Sequence, residues 1–308
     1  MTELKRWIVV SDPRAKDTPI VVVKLKGVGL DELLGLTDKE KQKKLISKML
    51  ESVSSGVFET DSMLEKIMFE AFREAINNFA KKKGYSLQKA LEEVKKTEML
   101  TEAIVNDALK IINTWIKEGR TLPIAYANPS LIERLQAEHR VVTFRYWKDR
   151  SLREKVNMRA IIEPREDLPE NEVLTIMDTL LDKIGETEVE VEAFRAKAWQ
   201  VVVDDRVASK ILGLKVGDEI DGSIVGLDKV KLRITGGSDA TGIPIRPDVP
   251  GPVKKRVLLS GPPGFHPRLK GERRRKLVRG NVISDGTVKR DKMVQINTVI
   301  IYPSEKQS

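Results

Sequence analysis

Twelve residues between positions 246 and 279 carry side chains that suit the binding of phosphate groups. Eleven of them are lysines or arginines, and one is a histidine. In chain order they are Arg246, Lys254, Lys255, Arg256, His266, Arg268, Lys270, Arg273, Arg274, Arg275, Lys276 and Arg279. Lysine supplies a compact positive charge, and the planar fork of arginine can bind one phosphate through two parallel hydrogen bonds. We therefore predict that these residues bind a polyanion.

The positive charge of the chain is concentrated around these residues. Residues 246–292 contain fourteen Lys and Arg and four Asp and Glu, a net charge of +10, whereas the whole chain of 308 residues carries +9. The other residues therefore sum to −1. Such a concentrated positive charge is typical of proteins that bind a nucleic-acid backbone.

Positive charge is densest in this region over the run Arg273–Lys276. Four consecutive cations repel one another, and a polyanion or salt relieves that repulsion. A localisation signal is the competing interpretation of such a run. A predicted strand over Leu277–Ile283 follows directly, which favours a run embedded in a folded surface.

Glycine and proline dominate the segment Thr235–Gly271, which holds seven of the fourteen prolines and seven glycines. Such a segment cannot form long helices or central strands, and its glycines allow close approach of the backbone to a ligand. The alternative is a flexible linker. The apolar strand Val257–Leu259 and the apolar Phe265 favour an ordered loop system. Phe265 can stack on a base or pack in a core, and we predict the core.

Residues suited to catalysis or to metal binding are scarce in this chain. There is no cysteine, and only His139 and His266 offer imidazole, so we predict no metal site and no cofactor. No nucleophile motif is evident, which predicts a protein that is not an enzyme. The longest apolar runs are far shorter than a membrane span, so we predict no membrane association and a cytoplasmic location.

Hydrophobic periodicity and turn residues divide the chain into parts. We predict an α+β protein whose small β-barrel core is built from residues 4–27 plus 199–302. The predicted parts are a first β-hairpin of the barrel over 1–27, a helical insertion over 28–120, a mixed α/β segment over 121–198, the remainder of the β-barrel with its basic loops over 199–302, and a tail over 303–308. Within the mixed segment, the pattern over Glu170–Ile184 predicts a helix.

The helical insertion is predicted to be a bundle of about four helices. Thr37 with Glu40 and Ser62 with Glu65 fit capping boxes at helix starts, and Gly84 and Gly119 fall where helices end. Residues 30–119 carry fifteen Lys and Arg against sixteen Asp and Glu. This near-neutral charge predicts that the lobe points away from most RNA and touches a neighbouring protein.

Several strings in the last third of the chain resemble one known family. They are LKVGDEIDG at 214–222, LRITGGSD at 232–239, PIRPDV at 244–249, KRVLLSGPPGF at 255–265, GERRRKLVRGN at 271–281 and VQINTVI at 294–300. Together with WIVVSDP at 7–13, they are similar to the archaeal and eukaryotic small-subunit ribosomal proteins of the S6e type. The resemblance covers about the first 27 residues and the last 105.

This resemblance implies a structural ribosomal protein of an archaeon, located in the ribosome of the cytoplasm. Family members have a small β-barrel core and bind small-subunit ribosomal RNA, so the twelve basic residues are expected to lie against rRNA. Compact members lack residues 28–198, although some archaeal members carry an extension there. Because the sequence stops at Ser308, it lacks the basic C-terminal helix and serine cluster of eukaryotic members, and regulation by phosphorylation there is not expected.

Two other hypotheses use the insertion. One is an RNA-processing enzyme in which the basic region delivers RNA to chemistry on the insertion, although no catalytic residues support it. The other is an adaptor in which the helical lobe binds a partner and the basic region is a tether to the ribosome. Deletion of residues 30–119 separates the structural role from the adaptor, because assembly is expected to survive in the structural case, whereas a specific partner is lost in the adaptor case.

Overall fold

The computed structural model divides the chain into two units. Unit 1 comprises Met1–Asp17 and Ala196–Ser308, and unit 2 comprises Thr18–Arg195. The structure describes residues 6–16, 18–34, 36, 39–55, 58, 60, 62–227, 230–285 and 292–302. The predicted helix start at Thr37 and the predicted tail over 303–308 lie outside these residues.

Most helices follow one another between β2 and β3, and most strands lie after them in the chain. The strands are β1 (Arg6–Ser11), β2 (Val21–Val28), β3 (Ile124–Ala127), β4 (Val141–Asp149), β5 (Glu154–Pro164), β6 (Glu172–Ile176), β7 (Glu188–Arg195), β8 (Ala198–Val203), β9 (Glu219–Asp221), β10 (Lys231–Asp239), β11 (Lys254–Leu259), β12 (Arg274–Arg279) and β13 (Met293–Ile301). The helices are α1 (Leu30–Leu33), α2 (Lys39–Ser55), α3 (Met63–Lys83), α4 (Leu87–Lys96), α5 (Glu98–Glu118), α6 (Pro129–Arg134), α7 (Met177–Lys183) and α8 (Asp205–Ser209).

Unit 1 contains a five-stranded sheet in the order β8-β1-β13-β10-β9 and a separate two-stranded ribbon of β11 and β12. In the sheet, β1 and β13 are parallel and the other neighbours are antiparallel. The residues of β1 alternate between buried and half-buried positions, with Ile8 and Val10 fully buried. This alternation follows from the two-residue period of a strand, which sends successive side chains to opposite faces.

Unit 2 is built around a closed six-stranded barrel in the order β2-β6-β3-β5-β4-β7. Its interior is filled by side chains such as Leu25, Phe144 and Ile162, each at most 1% exposed. The pairing has an internal two-fold pattern, since exchanging β2 with β5, β3 with β6 and β4 with β7 reproduces it. Thus β2–β6 and β5–β3 are parallel, whereas β2–β7 and β5–β4 are antiparallel. The barrel therefore consists of two halves of matching topology.

The helical lobe is inserted between the first two strands of this barrel. Its longer helices are α2, α3, α4 and α5, which confirms the prediction of about four helices. The Ser62 side chain accepts a hydrogen bond from the Glu65 amide at 3.4 Å, as expected of an N-cap. Gly84 and Gly119 end α3 and α5 with φ of 67° and 78°, in the left-handed conformation that glycine adopts without strain.

One barrel residue, Glu163, accepts hydrogen bonds from the start of helix α3 in the lobe. Its carboxylate is 4% exposed and accepts hydrogen bonds from the Ser62 hydroxyl at 2.9 Å, the Leu64 amide at 3.1 Å and the Met63 amide. The first amides of a helix have no partner within the helix, and an anion at that end also suits the helix dipole. Glu163 therefore connects the start of α3 to strand β5.

Replacing Glu163 with Ala is expected to loosen the helical lobe. Two amides and one hydroxyl would lose their buried acceptor, at a cost of about 1 to 3 kcal/mol in the free energy of unfolding. Denaturant unfolding measures the loss in the overall free energy of unfolding, and hydrogen exchange at the Leu64 amide measures the loosening at the start of α3. Glu166→Ala, at an exposed position on the segment that follows β5, is the matched control, and equal stabilities of the two variants would contradict this assignment.

The predicted fold class, α+β with a β-barrel, is confirmed, but the strands of the closed barrel are different from those predicted. Among the described residues, the barrel lies within unit 2, and residues 199–302 contribute to the sheet and the ribbon of unit 1. The predicted hairpin within residues 1–27 is wrong, because β1 pairs with β8 and β13 whereas β2 pairs with β6 and β7. Periodicity identifies a strand but does not identify its partners.

The segment after β1 shows why no hairpin forms there. Asp12 is buried, and its amide donates to the Lys197 carbonyl at 2.9 Å. Its carboxylate accepts from the Arg14 amide at 3.0 Å and from the Tyr302 hydroxyl at 2.8 Å. These contacts bind the turn to distant parts of unit 1, and the chain then enters unit 2 before β2 begins.

The predicted helix over Glu170–Ile184 is only half correct. Its first part is the strand β6, which lies between β2 and β3 in the barrel, and its second part is α7. Val173, Thr175 and Ile176 are β-branched and at most 1% exposed, which suits a central strand. The apolar residues of this segment fit both the 3.6-residue period of a helix and the two-residue period of a strand. Only the barrel contacts therefore decide where the strand ends.

Candidate nucleic-acid interface

The basic residues of unit 1 gather on the ribbon of β11 and β12 and on the loops beside it. In the antiparallel ribbon, Lys255 lies opposite Val278, Val257 opposite Lys276 and Leu259 opposite Arg274. The intervening pairs are directed to the other face, because side chains alternate along a strand. The ribbon therefore has two faces of different composition.

One face of the ribbon rests on a small apolar core. Leu259 and Val278 pack with Val249 and Phe265, and all four are at most 7% exposed. Val257 packs against the same cluster. The predicted core role of Phe265 is confirmed.

Apart from the Lys254–Arg279 pair at one end, the other face of the ribbon is exposed and mixes arginine with leucine. Arg256 lies opposite Leu277, and Leu258 lies opposite Arg275. Leu258 is 55% and Leu277 is 37% exposed. An exposed face of this kind can offer cations to phosphates and aliphatic surface to sugars or bases. Sequence reasoning missed the two leucines, although the alternation along each strand was available as a signal.

The glycine- and proline-rich loops are fixed by backbone hydrogen bonds to the end of the ribbon. The Arg279 amide donates to the Pro244 carbonyl at 2.9 Å, and the Arg246 amide donates to the Arg279 carbonyl at 3.0 Å. The Gly280 amide donates to the Val253 carbonyl at 2.8 Å. A Cβ atom on Gly280 would lie 1.9 Å from the Gly251 carbonyl oxygen, so only glycine fits this approach. The loops are thus an ordered part of the fold.

A buried carboxylate, Asp239, holds two of the twelve basic residues. One of its oxygens lies 2.6 Å from the Lys254 ammonium and 3.6 Å from the Arg279 guanidinium. The other accepts from the Thr241 amide at 3.0 Å, the Thr241 hydroxyl at 2.7 Å and the Ile243 amide at 2.9 Å. Asp239 therefore joins the end of β10 to both strands of the ribbon. Sequence reasoning assigned it no role.

The electrostatic environment of Asp239 favours its charged form. Burial acts to raise the pKa of Asp239, but the hydrogen bonds from Lys254, Thr241 and Ile243 outweigh burial and leave the pKa below its usual value of 3.8. The cluster consequently contains a stable negative charge at neutral pH. That charge keeps two cations within the fold.

Arg246 also makes its contacts inside the protein. Its guanidinium forms two hydrogen bonds to the Asp248 carboxylate, at 2.7 and 3.0 Å, and a third to the Pro263 carbonyl at 3.0 Å. The hydrogen bond from Arg246 is the main reason that the pKa of Asp248 is lowered. Arg246 therefore connects its own turn to the loop that contains Pro263.

The turn before the arginine run is held by Glu272. Its carboxylate accepts from the Arg268 amide at 2.8 Å and lies 2.9 Å from the Arg274 guanidinium. The hydrogen bond from the Arg268 amide is the main cause of the lowered pKa of Glu272. The acid that directly precedes this run thus shapes the turn and contacts one arginine, while the neighbouring cations are exposed.

The structure separates the twelve predicted residues into two groups. Nine are exposed: Lys255, Arg256, His266, Arg268, Lys270, Arg273, Arg274, Arg275 and Lys276. The other three, Arg246, Lys254 and Arg279, are buried or half-buried in the contacts described above. The ribbon and its loops thereby bring the nine together on one small module of unit 1.

The residues that the structure describes contain no group of three or more His, Asp or Glu side chains placed to hold a metal ion. In the same part of the chain, no helix combines the length and the apolar character needed to span a bilayer.

Comparison with known proteins gives a consistent match. The family model described as "Ribosomal protein S6e" matches residues 189–307. The small ribosomal subunit protein eS6 of Staphylothermus marinus is 52% identical over 187 residues, which is 61% of this chain and 83% of that protein. The eS6 protein of Hyperthermus butylicus is 50% identical over 190 residues, covering 62% and 83% of the two chains. That of Saccharolobus islandicus is 38% identical over 211 residues, covering 68% and 94%.

The similarity extends beyond unit 1. An alignment of 187 residues is longer than the two segments of unit 1 taken together, so part of unit 2 is shared with these archaeal relatives. The first of these relatives is 52% identical and is covered over 83% of its length. This chain belongs to the ribosomal protein S6e family.

Proposed function

We propose that this protein is a structural constituent of the small ribosomal subunit and binds small-subunit rRNA through the ribbon of β11 and β12 and its loops. The observation that carries the proposal is the set of nine exposed basic residues on one ordered module of a chain in the S6e family. The names of the relatives support the ribosomal role. The protein is then located in the ribosome of the cytoplasm.

The mechanism is charge neutralisation combined with a fixed shape. Lysines and arginines replace the counterions of the RNA backbone, and the release of those ions drives binding. The loops are held by hydrogen bonds and by the Asp239 cluster, so the cations have defined positions before RNA arrives. Less ordering entropy is then lost on binding than for a flexible basic tail.

The three basic residues with internal contacts have a different role in this proposal. Arg246, Lys254 and Arg279 neutralise Asp248 and Asp239 and thereby order the loops. They act on RNA affinity through the shape of the module. The exposed residues act through direct contact with phosphates.

The helical lobe is proposed to contact a neighbouring ribosomal protein. Residues 30–119 carry almost no net charge, which gives RNA little reason to bind there. Met99 is 81% exposed at the start of α5 and offers apolar surface to a protein. Crosslinks from this lobe predominantly to rRNA would contradict this part of the proposal.

Cosedimentation with small ribosomal subunits through a high-salt cushion tests the proposed function. We expect one copy of the tagged protein per subunit, retained at salt concentrations that remove peripheral factors. Release into the free fraction, or a substoichiometric level, would contradict an integral structural role. A chain lacking residues 30–119 is expected to assemble as well, because this deletion leaves the ribbon intact.

A further inference from the structure

A second concentration of positive charge lies in unit 2, on the hairpin that β4 and β5 form. Residues 145–159, which we call the basic hairpin, contain six Lys and Arg and two Asp and Glu. The rest of residues 121–195 contains five Lys and Arg and thirteen Asp and Glu. The hairpin therefore carries +4 and the remainder −8. Charge separated in this way directs an anionic partner to the hairpin.

Most of these cations are exposed to solvent. Five of the six are exposed, namely Lys148, Arg150, Arg153, Lys155 and Arg159. The acid at the tip, Asp149, accepts hydrogen bonds from the Ser151 amide at 2.7 Å and the Leu152 amide at 3.2 Å. Asp149 thus shapes the turn of the hairpin while the cations project around it.

An aromatic ring lies among the cations. Trp147 is opposite Lys155 in the strand register, and the Lys155 ammonium is 5.5 Å from the centre of the indole. The Arg145 guanidinium is 5.7 Å from the same ring. At the tip, Leu152 is 71% exposed. The hairpin therefore combines cations with apolar and aromatic surface.

The acid that contacts the hairpin from β7 does not cancel this charge. Glu192, on β7, lies 3.5 Å from the Arg145 guanidinium and 3.3 Å from that of Arg150. One carboxylate is thus shared by two arginines. Lys148 near the end of β4 and Arg153 in the turn are also at exposed positions.

We propose that the basic hairpin is a second RNA-binding surface, whose ligand is an unpaired or looped segment of RNA. The cations would bind phosphates, and Trp147 and Leu152 would contact bases or sugars, which is how proteins commonly recognise exposed RNA bases. The inference rests on the proposed function, since the RNA is then rRNA. It places a second contact in unit 2, beyond residues 189–307 that the family model matches.

The test compares two sets of charge reversals in the full-length chain. The hairpin variant changes Lys148, Arg153 and Lys155 to Glu, and the control variant changes Lys81, Lys82 and Lys83 in the exposed last turn of α3 to Glu. Both change the net charge equally. Affinity for purified small-subunit rRNA is measured against salt concentration, and RNA crosslinks to peptides are mapped.

We expect the hairpin variant to lose about tenfold in affinity near 0.1 M salt, with a shallower salt dependence. The wild-type chain should give crosslinks within residues 145–159, and the control variant should bind like wild type. If the hairpin variant binds normally while reversals in the ribbon abolish binding, this inference fails and the proposed function stands. If neither the hairpin reversals nor the reversals in the ribbon affect binding, the inference and the proposed function both fail. If the hairpin variant keeps normal RNA affinity but loses a copurifying protein, the hairpin binds an acidic protein instead of RNA. That result would overturn the inference.

Discussion

Reversing the charge of Arg273, Arg274 and Arg275 together is expected to weaken rRNA binding about a hundredfold near 0.1 M salt. Each phosphate contact contributes roughly 0.7 to 0.9 to the slope of log affinity against log salt, so three contacts change the affinity by about two orders of magnitude at that salt concentration. The slope itself should become shallower by about two to three. Fluorescence anisotropy with purified small-subunit rRNA at several salt concentrations measures both quantities.

The matched control for the arginine run is the change of Lys81, Lys82 and Lys83 to Glu. It also reverses three consecutive exposed cations, but these lie in the near-neutral helical lobe. The control should keep the affinity and the salt slope of wild type, while melting curves verify that both variants are folded. An unchanged slope for the ribbon variant would remove the arginine run from the interface. A single Arg274→Ala change should have little effect, because the binding energy is distributed over many phosphates.

Replacing Asp239 with Ala is expected to disorder the ribbon of β11 and β12 and its loops from within. The change leaves Lys254 and the buried Arg279 without this carboxylate and removes the acceptor for the Thr241 and Ile243 amides. Removing one partner of a buried ion pair costs about 3 to 5 kcal/mol. Hydrogen exchange at the Arg279 amide measures the local opening of the ribbon, and denaturant unfolding measures the overall loss in the free energy of unfolding. RNA affinity should fall as well, although no exposed cation is changed.

An exposed ion pair in the same module gives the control for Asp239. Asp248→Ala also removes the partner of an arginine, but the Asp248 side chain is 55% exposed, so the expected cost is at most about 1 kcal/mol. Comparable losses for the two variants would contradict the central role of Asp239. Unchanged exchange at the Arg279 amide in the Asp239 variant would contradict it as well.

The Asp239 cluster also predicts a dependence of stability on acid. The folded state lowers the pKa of Asp239 below its usual value of 3.8, so the group stabilises the fold at pH above that value. This contribution is lost as the pH falls below 3.8 and through the lowered folded pKa. The stability difference between wild type and Asp239→Ala should therefore shrink in this acidic range. A difference that stays constant to the lowest pH would show that the carboxylate charge is not responsible.

Several local features could be predicted from the sequence because they depend on neighbouring residues. The caps at Ser62, Gly84 and Gly119 follow from the conformations of single residues at helix ends. The burial of Phe265 follows from its apolar side chain within an ordered loop. Strand β7 and the Val23–Lys26 part of β2 follow from a two-residue alternation of apolar side chains, and β1 and β8 follow from short runs rich in valine and other residues that favour strands. Each of these signals is formed by residues that lie within a few positions of one another in the sequence.

Strand partners could not be predicted in the same way. The sequence placed β1 and β2 in one hairpin, but Asp12 binds Lys197 and Tyr302, and β2 closes a barrel with strands more than a hundred residues away. Pairing of this kind depends on contacts between distant residues, which periodicity does not encode. The basic residues show the same limit. Arg279 and Arg275 are equally cationic in sequence, but only the fold places Arg279 beside Asp239 and leaves Arg275 exposed.

The sequence by itself determined that this chain concentrates its positive charge in residues 246–292, that the charge lies among ordered loops and short strands, and that its strings are similar to the S6e family. Charge and residue identity are additive properties of the chain, so they can be read before folding. Only the tertiary structure decided which strands close the barrel, which cations are neutralised internally and which remain exposed. Those outcomes depend on which distant groups become neighbours, because burial and ion pairing are properties of contacts.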